Sequence, residues 1–115
     1  MRIPRGLLTH RCILRKYRTD RDLLTRTRVS DQELSGVRVM PEAVRTGDVR
    51  HTRTQRRGVL YYDAVSSLPT EAEFITDGLD SVIVFRQHEY PVTGAAYFYD
   101  DKGLHHIELS LGGAV

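Results

Sequence analysis

The chain has 115 residues, 40% of them hydrophobic and none of them tryptophan, which suffices for a single domain spanning 1–115 around one core, and not for two. A lone cysteine, Cys12, excludes an internal disulfide framework and fits a reducing compartment; no run of about 18 apolar residues is present, so no membrane span is expected, and Arg11 interrupts the first apolar stretch before it reaches the length of a secretory signal. The formal net charge of +2 hides a split: residues 1–58 hold fifteen Lys/Arg against six Asp/Glu (+9), and residues 59–115 hold two against nine (−7).

Taken in chain order, the apolar residues mark short strands. "LLTHRCILRKY" (7–17) sets Cys12, Leu14 and Lys16 in alternation with Ile13, Arg15 and Tyr17. "LSGVRVM" (34–40) puts Val37 and Val39 on one side and Arg38 on the other, and Pro41 is expected to end it. "GVLYYDAV" (58–65) is β-branched and aromatic. "SSLPTEAEFITDGL" breaks the strand habit with Pro69 and Gly78, leaving room for one helical turn at 70–74. "DSVIVFRQHEYPVTG" predicts two strands with a tight turn near Arg86–His88. "AAYFYDDKGLHHIELSL" predicts a further hairpin turning at Asp100, Asp101 and Gly103. In its last strand Ile107, Leu109 and Leu111 share one face, and His106, Glu108 and Ser110 the other. "GGAV" (112–115) reads as a flexible tail.

About six short antiparallel strands with almost no 3.6-residue periodicity predict an all-β protein, a small β-barrel or sandwich with at most one short helix. Between the second and third strands lies "RTGDVRHTRTQRRG" (45–58), with five arginines and a single apolar side chain, Val49. A stretch this polar cannot bury itself, so it is expected to be a long protruding inter-strand loop, and loops of that length are usually functional or disordered. Arg45, Arg50, Arg53, Arg56 and Arg57, with threonines between them, suit phosphate contact. The loop has no aromatic side chains to stack unpaired bases, so a nucleic-acid partner would be duplex backbone.

No arrangement for catalysis stands out. His105, His106 and Glu108 are the one dense group of acid–base or ligand residues, and neither a Cys pair nor HExxH accompanies them. Glycine-rich phosphate loops and calcium-loop spacing are missing, and Cys12 sits among apolar residues as a core thiol does. No catalytic residues, metal or cofactor are expected; an enzyme using His106 and Glu108 is the weakest alternative.

The succession "MRIPRGLLTH", "GVRVMPEAVR", "GVLYYDAVSSLP", "DSVIVFRQHEYPV" and "YDDKGLHHIELSL" resembles, over nearly the whole chain, the minor capsid proteins of tailed bacteriophages and prophages. These are small head–tail connector proteins. Members tend to carry a glycine-containing turn where this chain has "RQH". The resemblance implies a head-completion β-barrel, a stopper or adaptor, that forms a ring between portal and tail and retains packaged double-stranded DNA. Its partners would be a portal or adaptor protein, a tail-side connector protein, copies of itself and the DNA backbone, with no membrane. The virion head–tail junction would be its location, reached by assembly in the bacterial cytoplasm, and the isolated subunit would be monomeric. Arg45, Arg50, Arg53, Arg56 and Arg57 would face the DNA channel or a neighbouring ring, and Arg2 and Arg5 would help dock to the portal side. A stand-alone duplex-binding domain using the same arginines is the alternative.

Overall fold

Cys12 and Leu14, Val37 and Val39, Leu60 and Tyr62, and Ile107, Leu109 and Leu111 are all buried. A period of two is what a sheet with one covered face imposes. The computed structural model describes residues 5–46, 53–70 and 72–113. These form a short 3-10 turn, Arg5–Leu7, and six antiparallel strands: β1 (His10–Asp20), β2 (Thr25–Thr46), β3 (Arg53–Asp63), β4 (Asp80–Phe85), β5 (His88–Asp100) and β6 (Gly103–Leu111). The protein is all-β, as the sequence pattern predicts. The strands follow one another in the order β1-β2-β3-β6-β5-β4, and β4 pairs back with β1 to close the barrel.

The core gathers inward-facing residues of every strand, with Leu34, Val37, Leu60, Ile83 and Leu109 fully buried. Its end is plugged by the connection from β3 to β4. Phe74 from that connection is 1% exposed, and its ring meets Tyr62 edge-on at 5.1 Å. Ser35 and Leu68 exchange backbone hydrogen bonds of 2.9 Å, and the Tyr62 hydroxyl donates to the Pro69 carbonyl. The helical turn expected at 70–74 is absent from the described residues of that stretch. Driving Phe74 into the barrel and anchoring Leu68 to β2 hold the chain extended, and tertiary packing overrides a weak local preference.

Turn chemistry accounts for the hairpins. Arg86 and Gln87 both adopt left-handed φ values (49° and 68°), the two-residue geometry that matches strand twist, here without a glycine. Asp100 Oδ1 accepts the Lys102 amide at 2.8 Å, and Gly103 takes φ 124°. Asp63 Oδ1 accepts the amides of Val65 and Ser66 (2.8 and 2.9 Å). The Ser67 hydroxyl accepts the Asp63 amide and donates to the Gly36 carbonyl, clasping the end of β3 to β2. Gly36 itself, at φ 63°, is the extra residue where β2 slips against β1 between His10 and Arg11.

Pro41 does not end its strand. β1 leaves β2 at the His10–Val37 pair, so beyond that point β2 needs hydrogen bonds on one side alone, and a missing N–H is tolerated there. Gly112, assigned by sequence to a loose tail, donates its amide to the Pro91 carbonyl at 2.7 Å; residues 114 and 115 lie outside the described residues. The radius of gyration is 15.5 Å, above the roughly 13 Å of a compact domain this long. Two hairpins that continue past the barrel are the reason.

Candidate functional site

The first of these hairpins carries the arginines. β3 pairs with β6 from Asp63 to Gly58 and no further, whereas its ladder with β2 runs on from Gly58–Pro41 to Arg53–Thr46. Residues 42–46 and 53–57 therefore form a two-stranded ribbon with no third strand among the described residues. The segment expected as a loop over 45–58 is mostly hairpin arm: Arg45, Arg53, Arg56 and Arg57 are strand residues. Threonine, arginine and glutamine make good ribbon residues when both faces meet water. Such a ribbon draws on main-chain hydrogen bonds and needs no apolar alternation.

Along the ladder Arg53 pairs with Thr46, Arg45 with Thr54 and Arg56 with Ala43. Arg57 is exposed, with Glu42 as its cross-strand partner. Arg50 and Arg2 lie outside the described residues; Arg5 opens the 3-10 turn. The neck of the arm is tight. A Cβ on Gly58 would come within 2.5 Å of the Met40 carbonyl oxygen and 3.0 Å of Pro41 Cα.

The second hairpin was not legible as an element. β1 keeps its β4 neighbour only as far as Tyr17–Asp80, and from Arg18 to Asp20 it pairs with β2 alone. Asp20 Oδ1 accepts the amides of Asp22 and Leu23 (3.0 and 3.1 Å), forming the tip. Leu23 and Leu24 are 71% and 89% exposed there, and Leu24 holds φ 53°, a conformation uncommon for a leucine.

An ion-pair network fixes the root of this hairpin to the barrel. Arg15 binds Asp31 through both its fork nitrogens (2.9 and 3.2 Å) and reaches Glu89 at 3.1 Å. Glu89 also accepts from the Tyr17 hydroxyl at 2.5 Å and from Arg26 at 3.4 Å, and Arg26 lies 3.9 Å over the Tyr17 ring. The Tyr17 hydrogen bond, followed by Arg15, pulls the Glu89 carboxyl below its usual range, and the Arg15 hydrogen bond does the same for Asp31. The basic and acidic halves thus meet partly inside the molecule, through Arg15 and Arg26.

His105 and His106 approach to 2.7 Å between their Nδ1 atoms, and His106 Nε2 lies 3.0 Å from Glu108 Oε2. Phe98 stacks on His106 at 4.6 Å. A histidine held by a stacked ring on one side and a carboxylate on the other is a well-packed surface residue. Among the described residues no group of three or more His, Cys, Asp or Glu could hold a metal ion. Cys12 is buried, and burial pushes its thiol up to about 12, where it is a poor nucleophile.

No family model, curated protein or solved structure matches the chain.

Proposed function

We propose that the chain is a structural subunit of a phage-type head–tail connector, forming a ring between portal and tail and helping to retain packaged DNA. The observation that carries this reading is the arginine arm. Its two strands leave the barrel with no further neighbour among the described residues, and Arg45, Arg53, Arg56 and Arg57 lie along them. A ribbon this rich in arginine gains nothing from the core of its own domain; it suits an anionic partner or a neighbouring subunit. Repetition around a ring converts weak single-arm contacts into a strong collective one. The resemblance in the order of sequence motifs points the same way.

The test is assembly. Purified chain mixed with rings of its cognate portal protein should co-sediment with them as one discrete complex. Folded chain that stays free at every ratio ends the reading. Duplex binding separates the alternative: a stand-alone DNA-binding domain would bind as a monomer with a steep salt dependence, whereas a connector subunit with one arm should bind weakly.

A further inference from the structure

The apex of the β1–β2 hairpin and a groove on the barrel wall have matching chemistry. The apex is apolar within a basic surround: Leu23 and Leu24 are exposed, and Arg18, Arg21, Arg26 and Arg28 flank them against Asp20 and Asp22. The groove is apolar with an acidic wall on one side. Ile75, Leu79, Pro91 and Val92 line it together with Asp80, and with Glu89 paired to Arg26 at its edge. Ile75 is 54% exposed there, and the stretch 72–80, which supplies Ile75, Leu79 and Asp80 to the lining, carries Glu73, Asp77 and Asp80 without a single base.

We propose that the Leu23–Leu24 tip of one copy seats in the Ile75–Leu79–Pro91 groove of the next copy, making the contact between neighbouring subunits. The proposal rests on the ring reading above and names the surfaces that the ring would use. Three observations select a second copy as the occupant. The chain's own hairpin brings Arg26 to the groove's edge but neither leucine into it, so the tip does not fill its own groove. Two adjacent leucines at 71% and 89% exposure hold apolar surface in water, and burial in a partner removes it from water. The charges complement each other, with net +2 over 18–28 against −3 over 72–80. Because tip and groove are different surfaces, the contact is head-to-tail, the type that closes into a ring when the rotation allows.

The contact is tested on the isolated chain at high concentration, without portal. Leu24→Cys protein is mixed with Ile75→Cys protein under mild oxidation, and in parallel with Tyr99→Cys protein. Tyr99 is 70% exposed and does not line the groove. Buried Cys12 stays unreacted in all three proteins. Disulfide-linked heterodimer should form at least about tenfold faster with Ile75→Cys than with Tyr99→Cys, and adding Leu23→Ser to the Leu24→Cys partner should remove most of that preference. Equal rates for the two acceptors, or a preference unaffected by Leu23→Ser, would overturn the proposal. Preferential linkage in a protein that never joins portal rings would leave the tip-to-groove contact standing and remove the connector role. Portal-bound rings with no such preference would do the reverse.

Discussion

Gly58 lies directly opposite Pro41 in the β2–β3 ladder, at the point where β6 stops and the arginine arm begins. The two residues allow the backbones to approach so closely that a Cβ at 58 would sit 2.5 Å from the Met40 carbonyl oxygen. The obstructing atoms belong to the backbone and cannot swing aside. Gly58→Ala should therefore cost about 1–3 kcal/mol, read as a lower denaturant midpoint. Gly94→Ala, where nothing lies within 4 Å of the added Cβ, should be close to neutral. A near-neutral Gly58→Ala would mean that the neck is wider than described.

Glu89 receives Tyr17, Arg15 and Arg26, and its carboxyl is held below the usual value of 4.5 by Tyr17 first and Arg15 next. A depressed folded-state value contributes stability that is present above the unfolded value and fades as pH falls through the folded one. Acid sensitivity is therefore expected to begin below about pH 4.5. Glu89→Gln should lose about 1.5–3 kcal/mol at neutral pH, the range for hydrogen bonds to a charged group. It should also flatten the stability profile below 4.5. Urea melts of both proteins across pH 3–7 check this.

His10 behaves with the same sign at higher pH. Burial, then the charges of Arg38 and Arg86, lower its value from 6.5, and its Nδ1 accepts the Val39 amide at 2.9 Å. The unfolded chain takes up the proton first, so His10's contribution is complete above pH 6.5 and declines as pH falls through the folded-state value. His10→Asn keeps an acceptor for Val39 and removes the titration. The variant should lose the slope between pH 6.5 and the onset of carboxylate protonation; an unchanged slope would assign it to another group.

Phe74 closes the end of the barrel from a segment with no regular structure of its own. With 1% exposure and an edge-on contact to Tyr62, truncation to alanine should cost about 3–5 kcal/mol. Thermal and urea unfolding would reveal it, and a loss below about 1 kcal/mol would show that the connection is not part of the core.

How far the sequence could be read follows from which elements bury a face. β6 announces itself through Ile107, Leu109 and Leu111, and the β4–β5 turn through the polar break after Phe85, because one side of each strand is in the core. The two arms carry no such signal. Between Arg18 and Glu33 every residue is exposed, so period-two alternation has nothing to act on, and the only clue was a turn residue, Asp20. The arginine segment was legible as something held away from the core, but not as a hairpin, since its pairing comes from main-chain hydrogen bonds that any polar residue supplies. Pro41 misled for a related reason: it stops a strand flanked on both sides, and β2 is flanked on one side there. Phe74 looked like part of a helical turn because its destination, the barrel mouth, is built by residues far away in sequence. The pairing of Arg15 with Asp31 and Glu89 joins positions 16 and 74 residues apart, a distance at which sequence pattern is silent.

The central claim is that the arginine arm is held out for a partner and not folded back onto its own domain. Imaging the ring assembled on portal at subunit resolution tests it most directly. The account predicts the 42–46/53–57 ribbon pointing into the central channel or onto the adjoining ring, with Arg53 and Arg57 against phosphate or a neighbour's carboxylates. A ribbon packed against the acidic residues of its own barrel, on the outside of the ring, would contradict it.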